Sequence, residues 1–196
     1  AQRRDHDAIM LVVPADHVVT GQREFEAAVQ LGCQLAEAGH LVTFGIKPIR
    51  PETGYGYIKP NDKAGLGKRG KLQGFSVHKF VEKPNVAKAT QYLKAGNYYW
   101  NSGMFIWRAA TILEEIRRHQ PAIARAMDRI RELRMRHAPQ SDIEDLYRTI
   151  KPVSIDNGVM DEPPVTVFVE GARESVTSGE WPPRPVDYRP LYLRPR

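Results

Sequence analysis

The apolar positions of this chain form short runs that alternate between strand spacing and helix spacing. Residues 8–13 are almost continuously apolar, which is typical of a strand buried on both faces of a sheet. Apolar residues between positions 25 and 36 recur at helical spacing, with Gly39 as a stop, and the next strand is predicted at Leu41–Ile46. This strand–helix–strand order favours a right-handed crossover unit and a mainly parallel sheet.

The middle of the chain predicts a long loop, a strand, a helix and a second strand. Residues 48–74 are rich in Gly, Pro and Lys, a composition typical of an excursion over one face of a domain. Residues 75–81 alternate as a strand does, and Asn85 is a suitable cap for a helix that ends at Gly96. The aromatic-rich residues 98–107 predict a further strand.

The rest of the chain predicts three helices, one strand and a tail. These elements are expected at residues 109–118, 122–136, 143–149 and 165–169. Past position 171 the composition changes to Pro, Arg and Tyr without apolar periodicity, which indicates an extended segment. We therefore expect one α/β domain at residues 1–171 and a divergent tail at residues 172–196.

The charge and cysteine content narrow the classes of partner and site. A net charge of +6 suits a partner that carries phosphate, whether nucleotide, sugar phosphate or nucleic acid. Many of the arginines fall in predicted helices among acidic residues, which favours a solvated face over a nucleic-acid surface. Cys33 is the single cysteine, so we expect a buried, inert thiol and no disulfide. The sequence shows no secretory signal or membrane-spanning run, and we expect a cytoplasmic protein with no membrane partner.

Asp16 and His17 follow the first apolar run closely. Ligands of such sheets bind outside the carboxyl ends of the strands, so Asp16 is expected at that edge. Its carboxylate is a suitable ligand for Mg²⁺ that bridges the phosphates of a nucleotide. Alternatively, Asp16 caps a helix or closes a turn and His17 packs in the core, and the residues alone leave both interpretations open.

Two motifs carry groups that suit a sugar phosphate. Gly54 and Tyr55 belong to a stretch in which glycines let the backbone pass close to a sugar ring and tyrosines stack or hydrogen-bond. A plain turn is the alternative. Glu82 and Lys83 end a strand with an acceptor beside a cation, an arrangement that can hold a sugar hydroxyl and its phosphate together. An exposed ion pair is the alternative here.

A third motif, Trp-Asn-Ser-Gly-Met-Phe at positions 100–105, adds an amide that donates and accepts, Asn101, and a glycine that admits close approach, Gly103. In order, the motifs resemble those of the bacterial mannose-1-phosphate guanylyltransferases. Pro-Ala-Asp, Glu-Lys-Pro and Asn-Ser-Gly are shared by sugar nucleotidyltransferases in general, whereas the longer Trp-Asn-Ser-Gly-Met-Phe and a Ser-Ile-Asp at 154–156 favour the mannose enzymes.

The resemblance implies a Rossmann-like, glycosyltransferase A-like fold: a mixed, mainly parallel sheet flanked by helices. It also implies synthesis of GDP-mannose and pyrophosphate from mannose 1-phosphate and GTP, with Mg²⁺ as cofactor. The implied roles are a catalytic metal aspartate at Asp16, a sugar-pocket loop at Gly54 and Tyr55, a hydroxyl-binding carboxylate at Glu82, a catalytic phosphate-facing lysine at Lys83, and sugar contacts at Asn101 and Gly103.

Two departures from the family change the expectation of activity. The family begins with a strand and a glycine-rich loop that cradles the triphosphate, which this sequence does not show, so we expect its first βα unit to be missing. Thr177 stands where the family has its second metal aspartate. We therefore expect impaired or absent transfer by this chain alone.

Other functions and an oligomer follow from the same departures. The alternative function is a catalytically silent sugar-phosphate-binding or subunit-interaction module. A nucleic-acid binder that uses the arginine-rich helices is a third and weaker hypothesis. A strand removed from the centre of a sheet would leave apolar edges, which favours a homo-oligomer.

Overall fold

The computed structural model describes residues 8–17, 19, 21–160 and 166–170. The expected tail and Thr177 lie outside these residues. The described strands are β1 (Ile9–Val12), β2 (Leu41–Ile46), β3 (Tyr57–Arg69), β4 (Leu72–Val81), β5 (Tyr99–Arg108) and β6 (Thr166–Glu170). The described helices are α1 (Gln22–Glu37), α2 (Val86–Ala95), α3 (Ala109–His119), α4 (Pro121–Met135) and α5 (Gln140–Arg148), followed by a π-helical turn at Asp156–Met160.

Local signals in the sequence account for the helix ends. The side chain of Asn85 accepts a hydrogen bond from the Lys88 N–H at 3.0 Å, and α2 ends at Gly96, which has the left-handed φ of 72°. Both ends of this helix confirm the prediction. α1 runs up to the turn before Gly39, again as expected.

The expectation of a mainly parallel sheet is wrong. The strand order is β1-β5-β2-β6-β4-β3, and among the described pairings β2–β6 alone is parallel. β1 and β2 are each antiparallel to β5, so they run in the same direction with β5 inserted between them. The predicted burial of β1 on both faces is also wrong: β1 stands at the end of the described strand order, Ile9–Leu11 are only partly buried, and Val12 and Val13 are 37% and 51% exposed. A continuous apolar run therefore fixes neither the burial of a strand nor the direction of its neighbour. The broader α/β class, with a sheet flanked by helices, is confirmed.

The predicted loop at residues 48–74 is largely wrong, because β3 and β4 form a long antiparallel hairpin. Its glycines permit close approach by a helix. A Cβ at Gly74 would lie 2.7 Å from Leu35 Cδ1 of α1, and one at Gly67 would lie 3.2 Å from Leu31 Cδ1. β3 also pairs with β5 through Tyr57, so the pairings form a closed circuit of β5, β2, β6, β4 and β3.

Helices cover both faces of β2 and β5. On one face, α1 packs with Val42, Phe44 and Ile106 in a buried cluster. On the other face, Leu41 and Phe105 pack with α3 and the π-helical turn. This alternation along two central strands follows from the opposite directions of successive strand side chains. Two packed faces hold the strand ends, where the candidate site lies, in place.

Two expectations about single residues and surfaces have clear outcomes. Cys33 is half-buried, and burial, followed by the negative charge of Glu37, raises the pKa of its thiol. A raised pKa favours the less reactive protonated form. Arginines of α4 and α5 form exposed ion pairs such as Arg129–Glu132 and Arg148–Asp145, which fits the solvated face. No helix in the described part of the chain is long and apolar enough to cross a membrane.

Candidate functional site

A cavity of about 250 Å³ opens at the end of the sheet where β1 and β2 finish and β3 and β5 begin. Six of the seven residues predicted for the site line it: Gly54, Tyr55, Glu82, Lys83, Asn101 and Gly103. They come from three separate segments of the chain. The structure therefore brings these motifs together in one place.

The seventh residue, Asp16, lies in an exposed turn after β1 and is not among the described residues that line the cavity. Its neighbours Pro14 and His17 do line it. Asp16 thus stands in a turn and does not cap α1, whose N-cap is Gly21, and its role as a metal ligand stays a prediction. His17 is exposed, so the alternative that it packs in the core is wrong.

Glu82 and Lys83 form the turn that follows β4. The Lys83 Nζ lies 3.3 Å from Glu82 Oε1, with 66% of the Lys83 side chain exposed against 27% for Glu82. Lys83 has a φ of 43°, a left-handed conformation that is uncommon for a residue with a Cβ. Such strain persists where the surrounding structure holds the residue, and it clusters at functional sites. The turn therefore aims a cation at the cavity at a conformational cost.

Gly56 is the point of closest approach in this site. A Cβ there would lie 2.7 Å from Glu82 Oε2 and 2.9 Å from Phe80 Cζ. The Gly56 carbonyl accepts a hydrogen bond from the Asn101 N–H at 2.8 Å, which joins the start of β3 to β5. A Cβ at Gly54 would meet only Glu52 Oε1, at 3.6 Å. The structure thus assigns the close backbone approach to Gly56 instead of Gly54.

The loop before β3 is held by Glu52. Its Oε1 accepts hydrogen bonds from the N–H groups of Thr53 at 3.0 Å and Gly54 at 3.2 Å. The Gly54 N–H and then the Arg50 side chain, 3.2 Å from Oε2, lower the pKa of this carboxyl group. The Tyr57 hydroxyl donates to the Glu52 carbonyl at 2.8 Å. Because the Glu52 carboxylate is engaged in contacts within the loop, we assign Glu52 a structural role.

An aromatic wall stands beside that loop. The rings of Tyr55 and Trp100 meet edge to face with centroids 5.3 Å apart, and the Arg50 guanidinium lies 5.7 Å from the Trp100 ring centroid. Trp100 is buried and lines the cavity. Aromatic surfaces of this kind pack against the apolar faces of sugar rings.

A buried polar chain connects the cavity to the centre of the sheet. Asn101 Nδ2 donates to Asp156 Oδ1 at 2.8 Å, and the Thr43 hydroxyl lies 2.7 Å from Asn101 Oδ1. Burial, followed by the negative charge of Glu82, raises the pKa of Asp156. The hydrogen bond from Asn101 and the charge of Lys83 oppose this rise. Asp156 and Glu82 therefore place two interacting carboxyl groups at one cavity.

Sequence reasoning missed three of these residues. Asp156 stands in the Ser-Ile-Asp motif but received no role, and Thr43 is the single hydroxyl residue within the apolar run of β2. Gly56 was part of a recognised motif without being singled out. Asp156 also begins a π-helical turn, a feature that recurs at functional sites. That feature is visible only in the structure.

The residues present fit a metal ion only in part. Within the described ranges, no group of three or more His, Cys, Asp or Glu side chains is arranged to hold one. Asp16 is thus a single exposed carboxylate near the cavity mouth. Mg²⁺ is commonly bound through one or two carboxylates, substrate phosphates and several waters, so one carboxylate suits an ion that arrives with a phosphate.

Comparisons with known proteins agree with this arrangement. Residues 1–144 match the family described as nucleotidyl transferase. The chain is 46% identical over 170 residues to the xanthan biosynthesis protein XanB of Xanthomonas campestris pv. campestris, covering 86% of this chain and 35% of that protein. It is 47% identical over 125 residues to the mannose-1-phosphate guanylyltransferase of Escherichia coli, covering 64% of this chain and 26% of that protein. The chain thus spans about a third or less of these relatives.

Two solved structures share the fold. One is described as mannose-1-phosphate geranyltransferase from Thermus thermophilus, with a TM-score of 0.68, 35% identity, and coverage of 83% of this chain and 44% of that one. The other is described as mannose-6-phosphate isomerase from Helicobacter pylori, with a TM-score of 0.68, 28% identity, and coverage of 85% and 62%.

Proposed function

Because this chain belongs to the nucleotidyl transferase family, we propose that its cavity binds mannose 1-phosphate for guanylyl transfer from GTP, which yields GDP-mannose and pyrophosphate. One observation carries the proposal: Glu82, Lys83 and Asn101 line the same cavity. A carboxylate accepts hydrogen bonds from ring hydroxyls, an ammonium group attracts a phosphate, and an amide bonds a further hydroxyl. The name of the relative in Escherichia coli, mannose-1-phosphate guanylyltransferase, agrees with a sugar-phosphate substrate.

The size of the cavity favours the sugar end of the reaction. Pockets for drug-sized ligands enclose roughly 300–1,000 Å³. A cavity of about 250 Å³ suits one sugar ring with its phosphate better than a whole nucleotide sugar. The described cavity is therefore proposed as the acceptor subsite.

The proposed reaction is an in-line displacement at phosphorus. A phosphate oxygen of mannose 1-phosphate attacks the α-phosphorus of GTP, the new P–O bond forms, and pyrophosphate leaves. Such chemistry depends on positioning two anions and neutralising their charge, and it needs no covalent protein nucleophile. Glu82 and Asn101 would orient the ring, and Lys83 would hold the attacking phosphate near the incoming nucleotide.

Mg²⁺ is the proposed cofactor. Among the described residues, Asp16 would be the protein ligand of the ion. When bound, the ion neutralises the charge of the phosphates. The cytoplasm as location and a homo-oligomeric state stay predictions. Light scattering coupled to gel filtration tests the oligomer, because a mass near 22.2 kDa would contradict it.

A module that binds sugar phosphate without transfer is the second candidate, favoured by the fit of the cavity to that ligand alone. Calorimetric titration with mannose 1-phosphate, set against mannose and inorganic phosphate, tests binding in both cases. Pyrophosphate release with GTP and Mg²⁺ then separates them: binding with release supports the transferase, and binding without release supports the module. Absence of saturable binding of mannose 1-phosphate would contradict both.

A further inference from the structure

The carboxamide of Asn101 has its oxygen occupied on two sides. The Thr43 hydroxyl lies 2.7 Å from Oδ1, closer than the 3.1 Å that separates it from the Met104 carbonyl oxygen. The Gly103 N–H also donates to Oδ1, at 3.3 Å. A carbonyl oxygen has two lone pairs, and these two donors use both. Asn101 therefore has no accepting capacity left for a ligand.

The nitrogen of the same amide is only half used. Nδ2 carries two hydrogens, and one of them is donated to Asp156 Oδ1 at 2.8 Å. Among the described residues the second hydrogen has no acceptor, so it is available to a bound molecule. Asn101 lines the cavity, so the group that it offers to a ligand is a donor.

Thr43, Gly103 and Asp156 together fix the orientation of the Asn101 side-chain amide. A backbone N–H can only donate, so Gly103 requires an oxygen on its side of the amide. An ionised carboxylate can only accept, so Asp156 requires the nitrogen on the other side. A flipped amide would set oxygen against carboxylate and N–H against N–H, leaving partly buried groups unsatisfied.

We propose that Asp156 is a positioning and specificity residue, which holds the Asn101 amide so that it donates to a ring hydroxyl of the sugar phosphate. The inference rests on the proposed function for the identity of that ligand. Glu82 supplies an acceptor at the same cavity, so the site presents one donor and one acceptor to the sugar ring. Without Asp156 the amide nitrogen loses its partner and only the contacts to Oδ1 orient the amide, so the donor is held less firmly and the complementarity to a hydroxyl that accepts is weakened.

Because Asp156 ionises, the hydrogen bond from Asn101 to Asp156 is sensitive to pH. Protonation removes its negative charge, so the bond from Asn101 weakens as pH falls through the pKa of Asp156, which burial raises. Other titratable groups face the same region. Those that line the cavity are Glu82, Lys83, His17 and Tyr55, and α3, which packs on the π-helical turn, contributes the Glu115–His119 pair.

The test compares Asp156→Leu, which removes the acceptor, with Asp156→Asn, which keeps one oxygen on a side chain of equal size. Loss of a hydrogen-bond partner in a site of this kind predicts about a tenfold weaker binding of mannose 1-phosphate for Asp156→Leu. Asp156→Asn should recover most of that loss and remove the part of the pH dependence of affinity that comes from Asp156. Asn157→Ala, at an exposed position of the same turn and outside the described cavity lining, is the matched control and should bind unchanged.

A second measurement needs no ligand. The side-chain amide signals of Asn101, identified by their absence in Asn101→Ala, are followed by ¹⁵N NMR across pH. They should shift with the ionisation of Asp156 in the natural protein and lose this titration in both Asp156 variants. Unchanged binding in Asp156→Leu, or amide signals that do not respond to pH, would overturn the proposal. If the natural protein does not bind mannose 1-phosphate, the proposed function fails, while the amide signals still decide whether Asp156 holds Asn101.

Discussion

At the cavity, Asp156 is partly buried and bonds Asn101, a residue 55 positions away, whereas on α5 Arg148 pairs with Asp145 three positions away in open solvent. The first contact exists only in the complete fold. The second needs one turn of helix. The comparison sets a long-range polar contact at the cavity against a local ion pair on the α4–α5 surface. The two regions should therefore respond to mutation in separate ways.

The largest expected effect is on stability, away from the cavity. Ile130 is buried and lines the groove between α4 and α5 together with Ile143. Ile130→Ala should lower the free energy of unfolding by about 3 kcal/mol through lost burial and a new cavity. Urea denaturation measures this change. Titration at a concentration of urea well below the transition should give unchanged affinity for mannose 1-phosphate, and a large loss would show that the two regions are coupled.

Gly56→Ala should break the cavity itself. Its Cβ would overlap Glu82 Oε2 and Phe80, so the end of β4 must shift, at a cost of about 2 kcal/mol. We expect mannose 1-phosphate to bind at least about tenfold more weakly, measured by calorimetry. Gly54→Ala is the matched control, because its Cβ would make only an ordinary contact, 3.6 Å from Glu52 Oε1. Equal effects of the two substitutions would contradict the assignment of the close approach to Gly56.

Lys83→Asn should separate charge from backbone strain. Asn tolerates the left-handed conformation, so the turn survives while the cation is lost. Affinity for mannose 1-phosphate should fall by about tenfold, and affinity for mannose should change little, because a charge-assisted bond to phosphate is removed. His137→Asn is the control, since His137 has a φ of 54° beyond the end of α4. An equal loss for both ligands would argue against a phosphate contact.

The stability of the protein should depend on pH through Asp156. Its pKa is raised in the folded protein, so the folded state holds this proton more tightly than the unfolded chain does. The resulting contribution to stability is present at low pH and is lost as pH rises through the raised pKa. Asp156→Asn should remove that part of the dependence, which denaturant midpoints measured at several pH values would detect. Parallel curves for the two proteins would contradict the raised pKa.

The smallest effect is expected on the helical surface. Arg148→Ala removes an ion pair in which both side chains are 74% exposed. Pairs of this kind contribute about 0–1 kcal/mol, so the change in unfolding free energy should stay below about 0.5 kcal/mol. Affinity for mannose 1-phosphate should not change. A clear loss of affinity would show that charge on this surface reaches the cavity.

The same division explains what the sequence could predict. Asn85 and Gly96 mark helix ends by their own chemistry, and the structure has both ends in place. The motif residues around Glu82, Lys83 and Asn101 were recognised because each stands in a short, contiguous pattern. Features that depend on a few neighbouring residues could therefore be predicted from the sequence.

Features that depend on residues distant in sequence could not be predicted. Nothing near β1 indicates that β5 will lie between it and β2, and the glycines of the β3–β4 hairpin resemble a loop until Leu31 and Leu35 of α1 are seen against them. The environment of Asp156 is set by Asn101 and Glu82, neither of which is near it in sequence. Its pKa is likewise a property of the assembled cavity.

The position of β6 has a consequence for folding during synthesis of the chain. β6 pairs with β2 on one side and β4 on the other, although it is the last of the described strands to be synthesised. Translation proceeds at about 5–20 residues per second, so β2 and β4 leave the ribosome seconds before the strand that joins them. Their open edges can meanwhile pair with other nascent chains. The interval between synthesis of β4 and synthesis of β6 is therefore a period in which these two strand edges are exposed to misassociation.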